Sequence, residues 1–115
     1  MSITMESEMN EFQTPEYAAV RHILTSPTLA ARCRPHIGED DFDWPGLLAE
    51  AETMSGGTQV LVRIAYDLWE AEGVVGIWEL PRRLDSANFA LVLEALALCR
   101  GDVRVRWAEA LPRVA

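Results

Sequence analysis

Two cysteines and two histidines are the side chains of this sequence that most readily bind a metal or attack a substrate. Cys33 and His36 form the one close pair, spaced Cys-x-x-His. A zinc site needs four converging ligands, and His22 and Cys99 lie elsewhere in the chain, so we expect no metal. Catalysis by Cys33 with His22 as its base would also need a glycine-rich turn to hold an oxyanion, and none adjoins this Ala-rich segment. The sequence predicts no enzyme activity and no cofactor.

A run of carboxylates at residues 39–43 is the second feature with chemical potential. It lacks the alternating oxygen ligands, central glycine and closing glutamate of a calcium-binding EF-hand loop. We therefore expect a solvated loop that also caps the next helix. An alternative is that these carboxylates imitate phosphates, as in an acidic phage or mobile-element inhibitor that occupies a nucleic-acid-binding surface. The residues concerned are Glu39, Asp40, Asp41 and Asp43.

The charge of the chain argues against several other activities. Its 115 residues have a formal net charge of −8, which disfavours nucleic acid and anionic membranes as partners. All ten basic residues are arginine, a bias typical of GC-rich bacterial or phage genomes. Because there is no lysine, Schiff-base chemistry and the lysine of a phosphate-binding P-loop are both excluded.

The stretch SGGTQ, residues 55–59, resembles the signature loop with which ABC-type ATPases contact a nucleotide. That family also requires a P-loop ending in Gly-Lys-Ser/Thr and a much larger ATPase domain. A lysine-free chain of 115 residues provides neither, so we reject a nucleotide site. We interpret Ser55 as a helix cap and the two glycines as a hinge.

The first 13 residues are acidic and polar, unlike a secretory signal, and we expect a disordered tail. No apolar run has the length of a membrane span. These features predict a soluble, cytoplasmic protein with reduced thiols and no membrane partner. Residues 14–115 should form a single domain, with an acidic helical region at 14–54 and a second unit at 55–107.

Helix signals recur along the chain. Thr14-Pro15-Glu16 predicts a helix to about Leu24, and Ser26-Pro27 a short one ending near Arg34-Pro35. Asp43 opens a third helix, Ser55 a fourth that ends at Gly73, and Asp85-Ser86 caps the last one, residues 87–100. Within residues 74–84, Pro81 predicts that any helix after residues 74–75 is very short or irregular.

A short β element is also expected. Val103, Val105 and Trp107 alternate with Arg104 and Arg106, a period of two that is typical of a half-buried strand. Its most natural partner is residues 74–75. The order helix, strand, helix, helix, strand over residues 58–107 resembles a winged-helix domain, with WELPRRLDSANFALVLEAL as the helix-turn-helix.

This resemblance implies that the 87–100 helix would enter the DNA major groove. That role needs exposed polar side chains, and the helix offers only Asn88, Glu94 and Arg100. A winged-helix version used for protein contacts is therefore favoured. DNA binding remains the alternative, with contacts from Arg82, Arg83, Arg104 and Arg106.

The 87–100 helix is apolar on nearly all sides, which predicts burial on two faces. One stripe contains Phe89, Val92, Leu93 and Leu96, and the opposite side contains Leu91, Ala95 and Leu98. We assign this second set to a protein interface, with a homodimer as one form; core is the alternative. Trp78, in an irregular segment after Gly76, is added as an aromatic that could anchor a partner, with core packing again the alternative.

The sequence thus predicts a mainly α domain with a C-terminal winged-helix-like unit that carries a short two-stranded β element. Its predicted function is a non-enzymatic protein–protein interaction module: an adaptor, a regulatory subunit or an inhibitor.

Overall fold

The computed structural model describes residues 14–101, and the predicted tail at residues 1–13 lies outside them. The described part is mainly helical, as predicted. It contains six α-helices and one 3₁₀ turn. They are α1 (Pro15–Leu24), α2 (Ala30–Cys33), the 3₁₀ turn (Arg34–His36), α3 (Trp44–Glu52), α4 (Gly56–Glu70), α5 (Glu79–Arg83) and α6 (Ser86–Arg100).

Three of the predicted caps are formed by side chains. Thr14 Oγ1 accepts a hydrogen bond from the Tyr17 N–H at 3.0 Å at the start of α1. Asp43 does the same for α3 and Asp85 for α6, each accepting from the N–H three residues later. Because these oxygens satisfy N–H groups that a helix leaves free at its start, the helix beginnings were legible in the sequence.

The helix ends use left-handed residues. Gly101, with φ of 80°, follows α6 as expected for a glycine in this position. Helix α4 ends earlier than Gly73, because Ala71 takes the left-handed conformation with φ of 58°. This conformation has a steric cost for a residue other than glycine.

Helix α1 is the most deeply buried element. Its residues Ala19, Val20, Ile23 and Leu24 have no exposed surface, and the helix packs against both α6 and α4. Helices α4 and α6 contact each other much less than each contacts α1. The 14–54 region therefore supplies the centre of a core that it shares with residues 55–101.

An aromatic cluster attaches the acidic loop to the helices. Phe42 stacks on Tyr17 with ring centroids 5.0 Å apart and meets Trp69 edge-on, also at 5.0 Å. Trp44 lies against Phe42 at 5.5 Å and against Tyr66 at 5.3 Å. These rings join α1, α3 and α4 to the segment before α3; Trp44 belongs to the core and Trp69 packs against it.

The predicted β element is not found in the described part of the chain. Val74 and Val75 do not pair with another segment; their N–H groups bind a side chain of α4 instead. The proposed second strand, with Val103, Val105 and Trp107, lies outside the described residues. The one antiparallel bridge within residues 14–101 joins Ile37 to Phe42.

None of the helices in residues 14–101 combines the length and the apolar character needed to cross a membrane.

The two glycines that open α4 predict different responses to substitution. A Cβ at Gly57 would lie 2.8 Å from the carbonyl oxygen of Arg83, a main-chain atom that cannot swing away. A Cβ at Gly56 would lie 3.2 Å from the Arg83 Nη2, which can. We expect Gly57→Ala to lower the free energy of unfolding by about 1–3 kcal/mol.

Gly56→Ala is the matched control, since it makes the same chemical change one residue earlier. It should be neutral or raise stability slightly, because alanine favours the helix over glycine. Urea unfolding of both variants measures the difference. Equal effects of the two substitutions would contradict the close approach of α5 to the start of α4.

Candidate functional site

An exposed apolar surface follows α4. Ile77 is 84% exposed and Trp78 58%, the two largest exposures of bulky hydrophobic residues in residues 14–101, and Val74 is 50% exposed. Arg82, one turn of α5 further on, is also exposed. We call these four residues the Trp78 surface. Water contact with two large apolar side chains in sequence is costly, which makes this surface the first candidate for binding.

The backbone that carries this surface is held by carboxylates. Asp67 of α4 accepts the N–H of Val74 with one oxygen and that of Val75 with the other, both at 2.8 Å. Glu79 Oε2 accepts the N–H of Gly76 at 3.1 Å, and the Glu79 N–H returns to the Gly76 carbonyl at 2.9 Å. The carboxylates thus satisfy three loop N–H groups, of residues 74–76, that no helix or strand satisfies.

The indole of Trp78 lies over Gly76, so a larger residue at position 76 would displace the ring. A Cβ at position 76 would lie 2.5 Å from Trp78 Nε1 and 2.9 Å from its Cδ1, so the indole rests directly on the Gly76 backbone. The guanidinium carbon of Arg82 lies 5.8 Å from the centroid of the same ring, within the range of a cation–π contact. The exposed indole therefore has contacts within the chain that restrict its orientation.

The arginines of the alternative DNA site are only partly described. Arg82 and Arg83 are both exposed on α5, and Arg83 Nη1 lies 3.4 Å from Glu79 Oε1. Arg104 and Arg106 lie outside the described residues. Between Phe89 and Leu98 the exposed residues of α6 have no side-chain hydrogen-bond donor; they are Ala90, Leu93, Glu94 and Leu96.

The division of α6 between core and solvent differs from the one that the sequence predicts. Ala95 is fully buried and Leu98 is 4% exposed, while Leu91 is partly buried against the same core. In the stripe that was expected inside, Val92 is fully buried as predicted, whereas Leu93 and Leu96 are 50% and 40% exposed. The cause is helix α1, which packs against the side of α6 that contains Ala95 and Leu98. Of the four residues predicted for an interface, Trp78 is exposed and lies on another element from the other three.

The SGG stretch is the beginning of a helix. Ser55 is the residue before α4, as predicted, but its side chain accepts no hydrogen bond from the first turn. The glycines have a packing reason that sequence reasoning missed: the end of α5 lies against them, with the Arg83 main chain closest to Gly57. No feature of the sequence points to this contact, which joins residues far apart in the chain.

Cys33, considered above as a ligand or nucleophile, is a buried thiol. Cys33 has no exposed surface, and burial, with a smaller contribution from the nearby Glu50 charge, raises the pKa of its thiol to about 11. The thiol is therefore protonated at neutral pH and is a poor nucleophile or ligand there. The Nε2 atom of His22, the residue considered as the base for Cys33, lies 2.8 Å from Glu94 Oε1. Within residues 14–101, no three His, Cys, Asp or Glu side chains gather as metal ligands would.

His36 joins two carboxylates. Its Nδ1 lies 2.8 Å from Asp43 Oδ2 and its Nε2 lies 3.4 Å from Glu50 Oε2. Both ring nitrogens can donate only when the imidazole is protonated. The pKa of His36 is accordingly raised above 6.5, chiefly by the hydrogen bond to Asp43, against a smaller opposing effect of burial. Arg32 also binds Glu50, with Nε 3.0 Å from Oε1, and contacts Thr53.

The acidic loop is a tight turn with an ordered base. The Gly38 N–H donates to the Asp41 carbonyl at 2.8 Å, and the Tyr17 hydroxyl donates to the Gly38 carbonyl at 2.5 Å. Glu39, Asp40 and Asp41 are exposed at its tip. Asp43 has the capping role that was predicted for it. Three carboxylates thus face solvent together.

The His36 contacts predict a pH dependence with a defined window. A raised histidine pKa contributes stability that is present below the ordinary value of 6.5 and is lost as pH rises through the folded value. The lowered pKa values of Asp43 and Glu50, caused first by their hydrogen bonds to His36 and Arg32, contribute stability that is lost in acid. The three groups are therefore all charged at about pH 5–6.

We expect His36→Gln to lower stability most at about pH 5–6 and progressively less above the folded histidine pKa. Unfolding curves across pH, together with NMR titration of the His36 ring in the wild-type chain, measure both effects. Asp43→Asn should bring the pKa of His36 down toward 6.5. A His36 ring that titrates below 6.5 in the wild-type chain would rule out the double contact.

The hydrogen bonds of Asp67 predict local protection. In Asp67→Ala, amide hydrogen exchange at Val74 and Val75 should accelerate by roughly tenfold or more, since each N–H loses a charged acceptor. Glu70→Ala is the control, because it removes a carboxylate from the same end of α4 without touching these amides. Unchanged exchange at both valines in the Asp67 variant would show that the turn does not depend on this residue.

Comparison of the chain with protein-family models, with curated proteins and with solved structures found no match. The winged-helix resemblance therefore stays a prediction.

Proposed function

We propose that the chain is a non-enzymatic protein–protein interaction module that binds its partner through the Trp78 surface. The observation that carries this proposal is the combination of exposure and order: Ile77 and Trp78 face solvent on a backbone that Asp67 and Glu79 hold in place. A fixed loop loses little conformational entropy on binding.

The chemistry of the surface fits a protein partner. Tryptophan and arginine are the side chains most often responsible for binding energy in protein interfaces, and here they lie in contact. Ile77 adds an aliphatic side chain with 84% of its surface available. The surface is not lined by convergent polar groups of the kind that orient a small substrate.

DNA binding is supported less well. Its described contacts are two adjacent arginines on α5, one of which also lies near Glu79. The acidic inhibitor is the other alternative, and its support is the exposed carboxylates of Glu39, Asp40 and Asp41. The acidic inhibitor would use a surface different from Ile77 and Trp78. The DNA alternative shares Arg82 with the Trp78 surface, so the chemical nature of the captured molecule has to separate it from a protein partner.

Site-specific photo-crosslinking in extracts of the host cell is the test. A photoreactive residue at position 77 should capture a defined protein, and the capture should be competed by unlabelled wild-type chain. Trp78→Ala in the competitor should weaken competition by roughly 30-fold, the loss expected when an anchoring tryptophan is truncated. A photoreactive residue at the exposed Ala49 of α3 is the control and should capture no such partner.

Other outcomes would contradict the proposal. Equal capture from positions 77 and 49, or a Trp78→Ala chain that competes as well as wild type, would remove the Trp78 surface as the binding site. A product from position 82 that nuclease destroys would favour DNA. Capture of a nucleic-acid-binding protein from position 40 alone would favour the acidic inhibitor.

A further inference from the structure

The outer face of α6 is a second apolar surface, separate from the Trp78 surface. With about 100° between successive residues, four apolar side chains share this face along about two helical turns. Leu93 and Leu96 are 50% and 40% exposed, Ala90 is exposed and Ala97 is half-buried. We call Ala90, Leu93, Leu96 and Ala97 the α6 seam. Their spacing is that of a helix that packs along another helix.

The seam carries almost no charge in a strongly acidic chain. Glu94 is the one charged residue between Ala87 and Cys99, and it lies at the edge of the face, 2.8 Å from His22 of α1. Elsewhere the net charge of −8 would repel a second copy of the chain. At the seam this repulsion is smallest, so self-association is least opposed there.

We propose that the α6 seam binds the same seam of a second copy, with the two helices antiparallel about a two-fold axis at Leu93. In this arrangement Ala90 of one copy faces Leu96 of the other, so that a small side chain meets a large one on both sides of the axis. The arrangement is isologous, so it closes as a dimer and leaves no open end.

Charge at the ends of α6 favours the antiparallel direction. Asp85 caps the beginning of the helix and Arg100 is its last residue, and both are exposed. Antiparallel pairing brings Asp85 of one copy close to Arg100 of the other, whereas parallel pairing brings like charges together. The helix dipoles also oppose each other favourably in the antiparallel pair.

The contact is small, which sets the expected affinity. One helix pair of this length covers less than the ~800 Å² per partner of a typical stable interface. The dimer should therefore form at high protein concentration and dissociate on dilution. Its strength depends on Leu93, because that side chain meets its own copy at the axis.

Sedimentation of the full chain from about 10 µM to about 1 mM tests the proposal over the range of weak association. We expect a monomer–dimer equilibrium, weakened about tenfold or more by Leu93→Glu, which places two carboxylates together at the axis. Ala87→Glu adds the same charge to α6 away from the seam and should change dimerisation little. Trp78→Ala should leave the dimer intact, which separates this surface from the proposed partner site.

Mild oxidation of cysteine variants tests the register. In the Leu93→Cys variant, the new cysteines of two copies should form a disulfide with each other. A mixture of Ala90→Cys and Leu96→Cys chains should give more crosslinked dimer than either variant alone. The wild-type chain, with Cys33 and Cys99 only, is the blank. A monomer at all concentrations would overturn the proposal, as would Leu93→Glu that leaves sedimentation unchanged and lowers stability, since the seam would then be covered within the chain.

Discussion

The burial of α1 between α4 and α6 is the constraint on which the rest of the structure depends. Val20, Ile23 and Leu24 are completely enclosed, and each such side chain contributes about 1.5–3 kcal/mol relative to an exposed one. Because α1 contacts both long helices, it fixes the distance between them and decides which of their faces remain available. The exposed surfaces of the molecule are the faces that α1 does not use.

Hydrogen bonds from carboxylates and from one tyrosine hold the loops of this acidic chain. Asp67 and Glu79 turn their charge inward to the N–H groups of one turn, and Tyr17, on the buried helix, holds the acidic loop through the Gly38 carbonyl. Carboxylates thus accept hydrogen bonds from backbone N–H groups of residues 74–76, which pair with no strand in the described part of the chain. A loop held in this way keeps Ile77 and Trp78 exposed on an ordered backbone.

The two candidate surfaces differ in character. The Trp78 surface is compact, aromatic and next to arginine, which suits an anchor in the pocket of another protein. The α6 seam is flat, aliphatic and nearly uncharged, which suits a second helix. A chain with both could join a partner to a copy of itself, which is consistent with the adaptor role that its sequence predicts.

Local chemistry determined the elements, and the sequence by itself was sufficient for them. Thr14, Asp43 and Asp85 mark helix starts because a side-chain oxygen three residues before an N–H binds it without help from the rest of the fold. The predicted strand at residues 74–75 is not formed, because their N–H groups donate to the carboxylate of Asp67 in α4. An alternation of apolar and polar residues does not indicate such a contact.

Only the tertiary structure decided which side of α6 faces solvent. Every face of that helix is apolar, so its sequence contains no preference between Leu93 and Leu98. Packing against α1 buries Leu98 and leaves Leu93 exposed. The contact of Arg83 with Gly57 and the two carboxylates around His36 are of the same kind. They depend on distances between residues that are separate in the chain, and those distances exist only after the helices have packed.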